Sequence, residues 1–300
     1  MDDAQVAAFT SLRPLLFSVA YRLLGQASDA EDVVQEAWLR YAPRATDVLD
    51  PRAWLLRTVT RLSLDQLRSA RARRERYVGP WLPEPVLTDA ALVEQPFEPL
   101  ERRELLSLGA LAMLERLSAP ERAVLVLREA LDLSHAEIAA AVGVTEGSSR
   151  QLLARARRRI ASSHARAAPS EDAHRRLVDA LLGAFRAGDV SSLVALLRED
   201  VVAVTDGGGE TLAARRPVQG RDRVLRLFAG LLAKAPPELR AVAAGVNGTP
   251  GLVVHAGDGC PIYVLQLVLD AGGCIAEIVL VAAPSKLAFA RRQRPRLNSA

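Results

Sequence analysis

The sequence predicts a multidomain chain: two all-α helical domains, the second carrying a helix-turn-helix, followed by an α+β domain. Three observations carry this prediction. From residue 5 to 166 apolar side chains recur at helical spacing, apart from one proline-rich interruption. Ser-x-x-Glu, the pattern in which a side chain and a backbone amide cap each other at a helix start, occurs at Ser28, Ser118 and Ser134. Beyond residue 190 the pattern changes to short aliphatic runs bounded by Gly, Asn and Asp, as strands and turns require. The resulting boundaries are 1–76, a linker at 77–99, then 100–166 and 170–300.

In the first domain, "ASDAEDVVQEAWLRYA" begins at the Ser28 box, and Val33, Val34, Ala37, Trp38 and Tyr41 follow at helical spacing. Arg44 to Asp50 reads as a loop. Asp50 then caps a helix that has Pro51 at its first position. That helix is strongly cationic: Arg52, Arg57, Arg61, Arg68, Arg71, Arg73, Arg74 and Arg76 stand against only Asp65 and Glu75.

The segment "YVGPWLPEPVLTDAALVEQPFEP" holds five prolines and no helical period, so it reads as a linker. It is not inert, because Trp81, Leu82 and Phe97 are costly to leave in water. In the second domain the boxes at Ser118 and Ser134 start two helices, and Thr145 caps a third. Short helices joined by tight turns give the helix-turn-helix layout.

The last domain opens with an amphipathic helix over 171–187 and a short second helix over 191–200. A strand "VVAVT" breaks at "DGGGE", 220–233 is helical, and four strand-like runs end the pattern. Helices followed by antiparallel strands indicate an α+β domain.

Composition narrows the function. The chain has 300 residues, half of them hydrophobic, with net charge +4 and a pI near 9.5, a mildly basic balance compatible with nucleic acid. Lysine occurs only at Lys234 and Lys286, so arginine supplies almost all the positive charge. Cys260 and Cys274 flank an expected hairpin and would lie roughly 25–30 Å apart at strand rise, too far to bridge. Four histidines lack ligand spacing, so no metal or other cofactor is expected. There is no apolar leader and no apolar run of membrane-spanning length; a soluble protein of a reducing compartment is expected, with no membrane partner.

The helix after Thr145 divides by face. Leu152, Leu153, Ala156 and Ile160 form an apolar stripe; Ser148, Gln151, Arg155, Arg158 and Arg159 lie opposite. Guanidinium forks and an amide on one helix face suit phosphates and base edges in a DNA groove. A solvated face is the plainer alternative, but acidic residues normally interleave there and only Glu146 does so here. The Arg52–Arg76 helix adds Trp54 to its charges, a mixture that fits melted strands, where bases stack on rings; a core role for Trp54 is equally open. "DAEDVVQEAW" instead gathers acids at a helix N-terminus, which serves either the helix dipole or protein docking.

"DAEDVVQEAWLR", "RAWLLRTVTRLSLDQLRS" and "LERLSAPERAVLVLREALDLSHAEIAAAVGVTEGSSRQLLARARRR" together resemble the extracytoplasmic-function group of bacterial RNA polymerase sigma factors over residues 5–165. The linker "YVGPWLPEP", the "DGGG" at 206–209 and the α+β tail resemble the subgroup with a fused NTF2-like, polyketide-cyclase-like cone domain. The resemblance implies that Asp32, Gln35 and Glu36 dock on core RNA polymerase. It implies that Trp54, Arg57 and Arg61 act at the −10 promoter element. Arg128, His135, Arg150, Gln151 and Arg155 match positions that face the −35 element, and Ser148 and Arg158 lie on the same recognition face. This chain reads "VTRL" where most of the wider group has asparagine near Arg61, so no −10 sequence carries over. "APSKLAF" is similar to the subgroup's "NPDKL", with Ala283 and Ser285 in place of Asn and Asp and Lys286 retained.

The expectation is therefore a promoter-specificity factor, monomeric when free and bacterial cytoplasmic. Its tail would pack on the linker and the first helical domain through Trp81, Leu82, Pro83, Asp206, Gly207, Gly208, Gly209 and Lys286. Two rivals stand beside it. One is a helix-turn-helix regulator working without core polymerase. The other is a tail that binds an unknown small ligand or acts as an enzyme, with Asp206, His255, Asp258 and Glu277 as acid or base candidates.

Overall fold

The computed structural model describes residues 3–74, 77–88, 107–161 and 171–293. The expectations placed on Arg71, Arg73, Arg74, Arg76 and Phe97, and on the linker beyond Thr88, fall outside the described side chains. Contacts divide the chain into two units that do not follow sequence order. One takes the helices on both sides of the proline-rich segment. The other takes residues 77–88 and 107–110 together with everything from residue 171.

The first unit contains α1 (Asp3–Leu24), α2 (Ala27–Tyr41) and α3 (Pro51–Arg74), packed on one another. It also contains α5 (Ala119–Leu131), α6 (His135–Val142), α7 (Glu146–Ala161) and most of α4 (Leu108–Leu114). Ser28 is not the N-cap of its helix. Gly25 ends α1 at φ +69°, Gln26 is extended, and α2 starts at Ala27, leaving Ser28 inside the first turn. Burial of Ala27 and Ala30 fixes this start, and the Gln26 amide donates to Asp29 at 2.6 Å. The other starts form as expected. Asp50 accepts from the Ala53 amide at 3.0 Å, and Glu121 and Glu137 accept from the amides of Ser118 and Ser134 at 3.0 and 2.8 Å. Arg122, only 2% exposed, donates to the carbonyls of Leu23 and Leu114 and pairs with Glu115, satisfying helix-end acceptors that water cannot reach.

The second unit is built on a six-stranded sheet in the order β2-β1-β6-β5-β4-β3. Its strands are β1 (Leu197–Asp206), β2 (Val218–Gln219), β3 (Arg240–Val246), β4 (Thr249–His255), β5 (Pro261–Leu269) and β6 (Ile275–Val281). Helices α8 (Glu171–Ala187) and α9 (Arg221–Ala233) close over one face, and α10 (Ala288–Arg292) follows β6. This is the expected α+β arrangement, with Val178, Leu181, Phe228, Leu252, Leu265 and Ile278 in its core.

Two expectations are corrected. The helix over 191–200 is a 3-10 turn, Ser191–Leu196, that runs directly into β1. The polar "RED" that read as a helix end is a register shift in the strand, with Arg198 bound to Asp200 and Asp270. The sheet is also mixed, because β1 joins β6 in parallel. The β3–β4 hairpin turns on Asn247 and Gly248, both at positive φ. Cys274 lies in the β5–β6 turn and Cys260 at the far end of that hairpin, both as free thiols. Among the described residues no helix is long and apolar enough to cross a membrane.

Candidate nucleic-acid interface and the buried lysine cluster

In the helix-turn-helix, Gly143 ends α6 in the left-handed conformation and α7 begins three residues later. Leu153 and Ala156 are buried under α7, while Arg150, Gln151, Arg155 and Arg158 stand exposed and Ser148 is half-buried. Not all of this face is free. Arg150 pairs with Glu146 at 3.0 Å, Arg157 with Glu129 at 2.6 Å and Arg159 with Glu121 at 2.8 Å. Burial pushes the Glu121 carboxyl up, but two Ser118 hydrogen bonds and the nearby Arg159 and Arg155 outweigh it and hold the group below its usual range.

Two residues assigned to this face are used inside the module. Nδ1 of His135 meets Ser149 Oγ at 2.9 Å, tying the first turn of α6 to the first turn of α7. Arg128 donates to the Leu133 carbonyl at 2.8 Å and lies 3.5 Å from Asp132, across the C-terminal cap of α5. Both side chains set the angle between helices.

On α3, Arg57 and Arg61 are exposed, and Trp54 is half-buried with its ring centroid 5.9 Å from that of Tyr41. Trp54 therefore belongs partly to an aromatic row that continues through Trp38 to Phe9. Arg61 donates to the Ala140 carbonyl at 3.3 Å, at the negative end of α6. On α2 the buried stripe is Val33, Val34, Ala37 and Tyr41. The opposite face shows Asp32 and Gln35 exposed, and Glu36 paired with Arg40 at 2.8 Å. Leu39 stands one turn along that face, 59% exposed.

In the second unit, residues 77–88 form a strap, and the interdomain residues named from the sequence converge on it. Asp206 and Lys286 are both buried, with Nζ 2.6 Å from Oδ2. The second oxygen of Asp206 accepts from the Tyr77 hydroxyl at 2.6 Å, and Oδ2 also accepts from the Leu82 amide at 2.8 Å. Lys286 donates in addition to the Leu82 carbonyl and lies 3.5 Å from the Trp81 ring centroid and 4.6 Å from that of Tyr77. Burial first, then the hydrogen bond from its hydroxyl to the Asp206 carboxylate, pushes the Tyr77 phenol far above its ordinary range. Pro83 is buried beside Leu82.

The glycines of "DGGG" have steric reasons. Gly208 and Gly209 hold positive φ, and a Cβ on them would come 3.2 Å from the Tyr77 hydroxyl and 3.1 Å from Val78. A Cβ on Gly207 would come 2.7 Å from Ala213 within the same loop. Ala283, in place of the subgroup's Asn, packs against Gly208 and gives its amide to the Asp206 carbonyl at 2.9 Å.

Further along the strap, Val86 exchanges hydrogen bonds with Asn247, and Leu87 pairs with Val246 and with the Gln293 side chain. Gln266 accepts from the Leu108 amide and donates to the Val246 carbonyl, both at 2.6 Å. Gln266 is the one amide side chain in "PIYVLQLVL", and that exception to an otherwise apolar run is the sequence signal for this contact. Tyr77, Leu39 and Arg122 were missed as well; only Leu39 had a pattern to find it, one turn beyond Gln35 and Glu36.

Between α8, α9 and the sheet lies a cavity of about 240 Å³, lined among others by Leu181, Phe185, Phe228, Leu252, Tyr263 and Leu265. The four acid or base candidates are elsewhere. Asp206 holds the strap, His255 bonds the Gly259 carbonyl, Asp258 accepts from the Cys260 amide, and Glu277 lies on β6 away from the lining.

Two sequence-family models match the chain: sigma-70 region 2 over residues 8–73 and sigma-70 region 4 over residues 108–160. The chain is 41% identical over 261 residues to the ECF RNA polymerase sigma factor SigJ of Mycobacterium tuberculosis, covering 82% of this chain and 83% of that protein. It is 33% identical over 292 residues to the probable ECF RNA polymerase sigma factor SigI of the same species, covering 95% of each. The crystal structure of Mycobacterium tuberculosis SigJ superposes with a TM-score of 0.77 at 34% identity, covering 95% of this chain and 98% of that one. With both sigma modules and a relative 41% identical over more than four fifths of each chain, the chain belongs to the extracytoplasmic-function RNA polymerase sigma factors and serves promoter-directed transcription initiation.

Proposed function

We propose that the chain is a sigma factor carrying its own regulator, in which the cone domain holds the connector between the two promoter-reading modules. The observation that carries this reading is the buried Asp206–Lys286 pair, closed on Leu82 of the strap from both sides. A buried ion pair costs desolvation, and that cost is met only where the partners and their hydrogen bonds are all in place. Held so, the strap contact works as a two-state element, either complete or released.

Core polymerase docks on the α2 face of Asp32, Gln35 and Glu36, with Leu39 as an apolar contact in the same patch. Trp54, Arg57 and Arg61 serve the −10 element. At the −35 element Gln151, Arg155 and Arg158 read or contact DNA, Ser148 and Arg150 border them, and Arg128 and His135 act as positioning residues. The cone acts as a regulator; its cavity lining is aliphatic and aromatic apart from Lys234 and the Tyr263 hydroxyl, which supports that reading over chemistry on a substrate. A factor with these partners works in the bacterial cytoplasm.

Run-off transcription with purified core polymerase on the gene's own upstream DNA tests the reading, comparing the full chain, residues 1–169 and Lys286→Met. Promoter-dependent transcript that changes in the same direction in both variants supports it. Unchanged transcript from both removes the regulatory role. DNA binding without core polymerase, and no transcript, returns the chain to the plain helix-turn-helix reading.

A further inference from the structure

We propose that the cone cavity is a regulatory site for a small apolar ligand, and that the loop from Gly207 to Arg215 reports its occupancy to the strap. The proposal rests on the regulatory reading of the strap.

The cavity is too large for a packing defect. An apolar cavity of about 150 Å³ already accepts a benzene ring, and this one measures about 240 Å³. Protein interiors otherwise close such voids. Its lining is almost wholly aliphatic and aromatic, and the polar atoms offered by side chains are the Tyr263 hydroxyl and the Lys234 amine. Lys234 is exposed, which places it at the rim. Such a site suits a hydrocarbon body of about ten carbons with one acidic or hydroxyl end. Beside Tyr263 and Lys234 the described lining holds no carboxylate or imidazole, and the role assigned to the ligand is occupancy alone.

The link to the strap is Leu212. It lines the cavity yet is 54% exposed, an apolar side chain with a reason to close over an occupant. Its loop is stiff. Thr211 bonds the carbonyls of Gly207 and Ala282, and Ala214 and Thr205 exchange hydrogen bonds. The other side of the same loop is the strap's seat: Gly208 lies on Tyr77, Gly209 on Val78, and Arg215 faces Gly79. A ligand that draws Leu212 inward fixes this loop and slows release of the strap.

Calorimetric titration of the full chain with 2-naphthoate and with decanoate tests the site. Amide hydrogen exchange at Leu82, Val86 and Leu87, with and without probe, tests the link. Expected are saturable binding of at least one probe and strap exchange slowed about tenfold. Leu212→Ser should weaken binding only by the loss of that one contact and should lose the slowing even at saturating probe. Leu231→Trp, a half-buried lining position, should lose both with its thermal transition preserved. No saturable binding of either probe up to about 1 mM overturns the site. Binding with unchanged strap exchange overturns the link. Neither readout involves transcription, so failure of the strap as a regulator would be seen separately.

Discussion

The ammonium of Lys286 stands 3.5 Å from the Trp81 ring centroid while its other side meets Asp206 at 2.6 Å, so one buried cation is shared between the strap and the sheet. Lys286→Met would strand the Asp206 carboxylate in the interior, which destabilises the second unit by about 3–5 kcal/mol. Adding Asp206→Asn to that variant should recover part of the loss, since no charge then remains buried and an amide oxygen still accepts from Tyr77 or Leu82. Urea denaturation followed by tryptophan fluorescence checks both; equal stability of the two variants would contradict a coupled pair.

On the recognition helix, Gln151→Ala should cost about 1–3 kcal/mol of discrimination at particular −35 base pairs. Arg155→Ala and Arg158→Ala should weaken binding across sequences and lower the salt slope by about 0.9 per lost phosphate contact. Anisotropy titrations of the holoenzyme on promoter DNA at several salt concentrations separate the two behaviours.

His135→Ala should behave differently. Its imidazole is held against Ser149, so loss should lower the stability of the helix-turn-helix by about 1 kcal/mol and weaken DNA binding only through that change. Ser149→Ala should give the same phenotype, and the double variant should be little worse than either alone.

Leu39→Asp on the exposed face of α2 should reduce core-polymerase affinity at least about tenfold without altering thermal stability, because the side chain is more than half in solvent. Pull-down and melting curves on the same preparation distinguish a docking residue from a structural one.

His174 gives the second unit a sensitivity to acid. It is buried in α8, its Nε2 makes no hydrogen bond, and burial lowers its pKa from the usual value near 6.5. The unfolded chain therefore takes up a proton first as pH falls through 6.5, and stability declines from there downward. His174→Leu should flatten the melting temperature between pH 7.5 and pH 5 relative to the parent.

The helices were legible because their signals are local. The Asp50, Ser118 and Ser134 caps lie beside the residues they serve, and the α8 period is set by its own buried face. What escaped was set by distant partners. Parallel pairing of β1 with β6 joins strands separated by the rest of the domain, and no local run announces it. Ser28 failed as a cap because Gly25 and two buried alanines fix the helix start earlier. For the lysine cluster, sequence motifs pointed to Asp206, Lys286, Trp81 and Leu82. The aromatic cage and the Tyr77 hydroxyl needed three-dimensional coordinates.

The Gln266 junction bears on how the connector can vary. The strap reaches Val246 through Leu87, Gln266 bonds Val246, and the same side chain holds Leu108. Leu87 and Leu108, which stand on either side of residues 89–106, are thus held at one joint, Leu87 on Val246 and Leu108 on Gln266. Doubling such a closed segment costs only about 0.6 kcal/mol. Insertions there should be almost silent, while a change at Gln266 should free the Leu108 end alone, since the Leu87 end keeps its bonds to Val246 and Gln293 and its neighbour Val86 keeps those to Asn247.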